Sequence, residues 1–376
     1  MRPARRPALA AAFAALLLAA PPALGWGDDA HFLITREAVA RLPEPLRGLF
    51  TKEGGLERLE AASIAPDQWR AEEREREVRL GLTEDPHYAP AERPKHFFDI
   101  DAAADLFPYP FTNFPHDRAE AEHALGPDRL GRIGTGPWTV AETLGKLADA
   151  LARGSGADVV RMAGALSHYA ADLHMPFHVT ANYDGQLTGN PGIHRALEIG
   201  LIKRYLAFYE AEVRKGREKV AAICDPRDTA FEWVLTSYDR TSLVLEADTI
   251  ARRSTGYNPK DHERAEAGGV ADLDNVESEQ ARPYYARLKE ELDRRGAPEA
   301  AAMREAAEHV AQLLYTAYVA AGEPAGWRMS ERARDAAERD GGHPVAAVWA
   351  WAATLGAAAA LAAAAVAVSL RRRSKR

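Results

Sequence analysis

An all-α fold is predicted by two observations: apolar residues between Trp26 and about Ala325 recur at helical spacing, and no stretch alternates convincingly as a strand would. The helical spacing runs through Phe32 to Leu42, Val140 to Leu151, Val159 to Leu173, Ala196 to Val213 and Ala300 to Val319. The segment from Thr83 to Trp138 differs, being rich in aromatics and in proline (Pro86, Pro90, Pro94, Pro108, Pro110, Pro115), and predicts long ordered loop with short helices. No internal repeat and no Gly/Ser linker precedes Met329, so residues 26–329 are expected to form a single multi-helix domain. Long loops in such a domain usually carry function.

The two ends have another character. Residues 1–25 read as a secretory signal, with Arg2, Arg5 and Arg6 at its start, an apolar run from Ala8 to Ala20, and a small-residue cleavage site at Ala23-Leu24-Gly25. Cleavage there leaves Trp26 first. Residues 345–370 carry no charge and precede a basic tail at 371–376, which reads as a transmembrane helix with its tail in the cytoplasm. The charged, then Gly-rich stretch 330–344 makes a stalk, and Gly341-Gly342 also resembles the start of bacterial sorting tails that are removed after export. The predicted protein is therefore an extracytoplasmic domain, anchored to the membrane or sorted to the surface through its C-terminal tail.

The chain of 376 residues is 47% hydrophobic and 27% charged, with a net charge of −7, which excludes disorder as an explanation of its composition. The signal carries three positive charges and the tail five, with no acids in either, so the body between them stands at −15. Such a surface disfavours tight wrapping of long nucleic acid. The single cysteine, Cys224, excludes an internal disulfide framework and any cysteine-based zinc or iron–sulfur site. Any metal must be held by His, Asp and Glu.

The densest chemical signal is the run from Leu166 to His178. His168 and Asp172, four apart on a helix, face the same way, as two ligands of one metal must. Pro176 then breaks the helix and lets His178 turn back toward the same pocket. The device recurs at His194 and Glu198, which open another long helix after a Gly/Asn loop. Two such pairs on facing helices suit a metal site, and the competing reading is a pair of ordinary helix-face ion pairs.

With these motifs the sequence resembles the superfamily of zinc-dependent phospholipases C and single-strand-specific nucleases, helical phosphoesterases with three zinc ions. The family's His-x-x-x-Asp, Pro, His order matches His168, Asp172, Pro176 and His178, and its second pair matches His194 and Glu198. The resemblance implies a trinuclear zinc site. One ion would take Asp67, His96, His168 and Asp172, and a second would take His31 and the amino group and carbonyl of Trp26, with Asp172 bridging. The third would take His178, His194 and Glu198. His96 is preferred over His87, which lies in the same loop, for its Phe97-Phe98-Asp99 context. His174 is expected in packing or behind the ligands, and His309 as an ordinary polar residue.

The implied reaction is phosphoester hydrolysis by metal-activated water, with Asp67 orienting or deprotonating the water and Arg70, three residues on, holding a phosphate oxygen. The short step from Trp26 to His31 and the Asp67-x-x-Arg70 spacing resemble the nuclease branch. Glu198 in place of Asp and the compact loop from His178 to His194 resemble the phospholipase branch. The sequence reading puts single-strand nuclease or 3′-nucleotidase activity slightly ahead of phospholipase C, with nucleotides, short single strands or phospholipids as substrates. A noncatalytic, metal-stabilised surface binding module is the rival from another class, and no protein partner is inferable.

Overall fold

The computed structural model describes residues 26–79, 91–216, 219–260 and 281–324. The signal sequence, His87, the stalk, the apolar C-terminal run and the basic tail lie outside these residues. Among the described residues, no helix is long and apolar enough to cross a membrane. The described chain is mainly helical, and an isolated β-bridge joins Phe98 to Gly134.

In chain order the helices are α1 (Asp28–Arg41), α2 (Leu46–Thr51), α3 (Gly55–Ala62), α4 (Ala65–Arg79), α5 (Arg118–Leu125), α6 (Pro127–Ile133), α7 (Gly136–Arg153), α8 (Gly156–Asp172), α9 (Ile193–Arg195), α10 (Ile202–Arg204), α11 (Leu206–Val213), α12 (Pro226–Thr255), α13 (Arg282–Arg294) and α14 (Pro298–Ala320). The proline-rich segment, from Ala91 onward, has the expected form: 3-10 turns at Arg93–His96 and Ile100–Ala103, then the short α5 and α6. The expected helix from Ala196 to Val213 is instead broken into α9, a π-helical turn at Ala196–Leu201, α10 and α11. Single π turns inside helices widen the backbone locally and recur at functional sites. Here the turn carries Glu198.

Helix α8 is the centre of the fold. It packs against α7, α3, α14 and α1, and from Ala163 to Asp172 every residue is buried. Over that stretch the helix has no solvent face and must satisfy its polar side chains internally, and Ser167, His168 and Asp172 are the ones it brings inside. One glycine makes the packing possible. A Cβ on Gly164 would lie 2.4 Å from the Ala62 Cβ and 2.5 Å from the Ala62 carbonyl carbon, so α3 and α8 touch backbone to backbone there. One turn further along α8, the carbonyl of Ser63 at the end of α3 accepts a 2.7 Å hydrogen bond from His168 Nδ1.

Neither α12 nor α13 was singled out by apolar spacing. Helix α12 is well specified at its ends: Asp225 caps it by accepting from Arg227 N and Asp228 N, Pro226 opens it, and Gly256 closes it in the left-handed region. Its buried face nevertheless includes Ser237, Thr241 and Asp248, which interrupt the apolar stripe. In α13, Lys289 and Glu291 do the same.

Two outcomes follow. Gly164→Ala should lower stability by about 1–3 kcal/mol, because the added methyl overpacks a contact with backbone on the far side; thermal melts that superpose on those of the unaltered protein would refute this close approach. The second concerns Glu299, fully buried at the start of α14, whose Oε1 accepts from Tyr209 Oη at 3.0 Å. Burial lifts its carboxyl to about 7, so the folded chain retains a proton that the unfolded chain gives up near the ordinary value of 4.5. Its contribution is full below 4.5 and is lost as pH rises through about 7. Glu299→Gln should therefore melt higher than the unaltered protein at pH 8, with the gap closing toward pH 5. A melting difference that does not change with pH would contradict it.

Candidate metal centre

Asp172, at the last turn of α8, is fully buried. Its Oδ1 lies 3.4 Å from His31 Nε2, and its Oδ2 lies 3.1 Å from His96 Nδ1 and 3.3 Å from His168 Nε2. Each imidazole arrives on a different element: His31 on α1, His96 at the end of the 3-10 turn Arg93–His96, and His168 one turn earlier on α8. Asp67, in the first turn of α4, places Oδ1 3.6 Å from His96 Nδ1 and 3.9 Å from His168 Nε2. The residues following His96 and His178 run side by side, joined by Phe98 N to His178 O at 2.8 Å and Ile100 N to Val179 O at 3.3 Å.

A further cluster contains His178, His194 and Glu198, all buried, with His194 Nε2 3.0 Å from Glu198 Oε2. Gly192 sets up this turn with φ of +89°, and a Cβ there would meet Lys260 N at 2.8 Å. Three groups of side chains thus have ligand atoms close enough to share a metal ion: His31, His168 and Asp172; Asp67, His96 and His168; His178, His194 and Glu198.

Many polar atoms in and beside these groups have no hydrogen bond to account for their burial. Among the described residues, both ring nitrogens of His31 and His194, both oxygens of Glu198, Asp67 Oδ1, Asp172 Oδ1, His96 Nε2 and Arg70 Nη2 are buried without a hydrogen-bond partner. Unsatisfied atoms at this density would be strongly destabilising in an apolar interior. Imidazole and carboxylate are the donors zinc prefers, so the residues fit the metal. Two rings are also oriented from behind: His168 Nδ1 donates to Ser63 O and His178 Nδ1 donates to His96 O, each at 2.7 Å, which leaves Nε2 of each ring as its ligand atom.

The electrostatics agree with cation binding. Burial drives His178 and His194 down to about 4, so both rings are neutral at pH 7 with a lone pair to give. Burial, with a contribution from His168, also depresses His31, and burial depresses His96. Burial pushes Glu198 well above the usual carboxyl range, reinforced by Asp67 and Asp172. Burial opposes the charge on Asp172 as well, but His168 and His178 outweigh it and hold the carboxyl well below its ordinary value. The same balance, set by His168, Arg70 and His96, lowers Asp67. His168 shows the counterpart: burial would depress it, yet Asp172 and Asp67 lift it to about 9. The two carboxylates demand positive charge, and without metal a proton on His168 supplies it.

The side chains of the expected site residues are thus brought together. Trp26 is fully buried, and its indole Nε1 donates to Ala171 O at 2.9 Å, which fixes residue 26 beside the end of α8. The next residue, Gly27, lies against Glu198 O and Ile199. Arg70 is buried with Nη2 3.2 Å from Asp67 Oδ1. Of the loop aromatics, Phe98 and Trp138 belong to the core, whereas Tyr183 is exposed. Buried His174 and half-buried His309 are partners, Nε2 to Nδ1 at 2.7 Å, with His309 stacked on Trp233. Three contributors escaped the sequence reading: the Ser63 carbonyl, and Glu92 and Tyr169, which share a hydrogen bond beside His96. A backbone acceptor leaves no trace in sequence, and Glu92 carries only the weak signal of a carboxylate four residues before a ligand.

Comparison with curated proteins finds no match. The family model described as zinc-dependent phospholipase C matches residues 30–245, more than half of the chain and a span that contains His31, Asp67, His96, His168, Asp172, His178, His194 and Glu198. With that match, and with buried His and carboxylate groups suited to zinc, the chain belongs to the zinc-dependent phospholipase C family.

Proposed function

We propose that this protein is a trinuclear zinc phospholipase C, exported and held at the cell surface by its C-terminal tail, that cleaves the phosphodiester between glycerol and headgroup in phospholipids. The observation that carries this reading is the array of partnerless buried ligand atoms lying within the span matched to the phospholipase C family. Asp67, His96, His168 and Asp172 would hold one ion, His31, Asp172 and the amino group and carbonyl of Trp26 a second, and His178, His194 and Glu198 the third. Zinc supplies an acidified water and positive charge for phosphate oxygens.

The chain's own groups perform the rest. Asp67 Oδ1, deprotonated at neutral pH, takes the proton from the water that attacks phosphorus. Arg70 Nη2, buried beside it with no hydrogen-bond partner, donates to a nonbridging phosphate oxygen as charge builds there. The P–O bond to diacylglycerol breaks, and the alkoxide takes up the proton. Single-strand nuclease or 3′-nucleotidase activity remains the second reading, favoured by the Asp67–Arg70 pairing at 3.2 Å. A noncatalytic module accounts less well for a buried Arg70 whose Nη2 has no hydrogen-bond partner beside the ligand carboxylate.

The test uses the mature body beginning at Trp26, reconstituted with zinc and assayed side by side on phosphatidylcholine vesicles, single-stranded DNA and a 3′-nucleotide. Turnover of phosphatidylcholine well above that of the other two is expected, and the reverse order would move the assignment to the nuclease branch. The same preparation should contain close to three zinc ions per chain and melt lower once they are chelated. Asp172→Asn should cut turnover by orders of magnitude, whereas His309→Ala, remote from the ligands, should leave it much less affected. Equal losses in the two variants would sink the ligand assignment.

A further inference from the structure

Metal binding through Nδ1 leaves the other ring nitrogen of His96 unexplained. His96 Nδ1 faces Asp172 Oδ2 at 3.1 Å, His168 Nε2 at 2.9 Å and Asp67 Oδ1 at 3.6 Å, so it is the ring atom directed at the metal position. A neutral imidazole that coordinates through Nδ1 carries its proton on Nε2. In His96 that atom is buried and has no hydrogen-bond partner among the described residues, whereas His168 and His178 each donate the rear nitrogen to a backbone carbonyl. A carboxylate oxygen, Glu92 Oε1, lies 3.8 Å from His96 Nε2. Glu92 immediately precedes the 3-10 turn that ends in His96 and is itself buried.

We propose that Glu92 is a positioning residue for His96, the carboxylate that takes the ring's Nε2–H and so fixes Nδ1 as the metal-binding atom. The proposal rests on the metal-site reading given above. Glu92 is held for this task by two donors: Tyr169 Oη bonds to Oε1, and Lys95 Nζ bonds to Oε2 at 2.5 Å. Its backbone is tied as well, with Glu92 N donating to Glu73 Oε2 at 3.0 Å. Tyr169 follows His168 on α8, so a single helix carries one metal ligand and the group that aims the carboxylate behind another. A carboxylate behind a ligating histidine fixes the tautomer, orients the ring and raises its basicity, and losing such a partner weakens metal binding by about 10- to 100-fold.

The experiment compares the zinc-loaded protein with its Glu92→Gln, Glu92→Asp and Tyr169→Phe variants by zinc loss to a chromogenic chelator and by the visible spectrum after cobalt substitution. Glu92→Gln keeps the size and can still accept from Tyr169, but lacks the negative charge, and it should release one of its ions about 10- to 100-fold faster with a shifted cobalt spectrum. Glu92→Asp should recover part of that loss. Tyr169→Phe removes one of the two donors that hold the carboxylate while leaving its charge, and should release the ion faster than the unaltered protein but more slowly than Glu92→Gln. Release from Glu92→Gln at the unaltered rate with an unchanged spectrum would overturn the proposal, as would equal release from Glu92→Gln and Glu92→Asp, since the carboxylate charge would then play no part. Failure of the unaltered protein to take up zinc or cobalt would instead count against the metal-site reading itself.

Discussion

The constraint on which the rest of the structure depends is a carboxylate with no access to water. Asp172 is fully buried, and an ionised group in that position is costly unless cations or donors surround it. The fold answers by converging three imidazoles on its two oxygens, from α1, from α8 itself and from the loop before α5. His168 reaches Asp172 from one turn away on the same helix, whereas His31 and His96 must be brought to it by the packing of other elements on α8. Gly164 brings α3 against the backbone of α8, the Trp26 indole ties the start of the described chain to Ala171, and Thr35 Oγ1 meets Ser167 Oγ at 2.7 Å between α1 and α8. The contacts that pack the central helix are thus the contacts that aim the ligands.

The cluster of His178, His194 and Glu198 is built on a different principle. Its residues lie after the helix breaks, on a 3-10 turn and on the α9–π segment, where helical packing alone fixes little. Two kinds of contact replace it. The backbone bonds from Phe98 and Ile100 hold the His178 segment against the loop that carries His96. From the other side, α12 supplies Ser237 Oγ to Leu173 O at 2.8 Å and Thr241 Oγ1 to Pro176 O at 3.1 Å. These hydroxyls satisfy carbonyls left open where α8 ends, a need that every helix terminus has and that a buried one cannot meet with water.

That division explains what the sequence could and could not reveal. The His168–Asp172 and His194–Glu198 pairs were legible because a spacing of four is a local rule, and the helices around them were legible because their apolar faces repeat. Helix α12 was obscure for a functional reason. Its buried face carries Ser237 and Thr241, the groups that serve the ligand loop, together with Asp248, which takes hydrogen bonds from Arg252, Asn190 and Tyr284. Each of them breaks the stripe by which a helix is recognised. The π turn at Ala196–Leu201 was hidden similarly, since a spacing of four predicts a plain helix and gives no sign that the backbone widens there. His174 and His309 mark a limit of another kind: their partnership joins residues 135 positions apart, and only the approach of α8 to α14 reveals it.

The same reasoning bears on how the centre tolerates the loss of its cations. Around Asp67 and Asp172 the carboxylates stay ionised and lift His168 to about 9, so a proton can occupy the region in place of metal. Around Glu198 the balance is opposite. Burial, with Asp67 and Asp172, outweighs the pull of Arg195 and Arg70 on Glu198 and pushes it toward its neutral form, and burial drives His178 and His194 to about 4. The first region therefore relieves its charge by retaining a proton, and the second by shedding charge altogether. Both arrangements keep the interior close to neutral without metal, but only the second presents ligands that are already uncharged at neutral pH apart from one carboxyl proton. A cation entering the first region must displace the His168 proton against two carboxylates that hold it, while gaining the attraction of those same two charges. In the second it meets neutral imidazoles and a single acid, so its hold rests more on coordination than on charge.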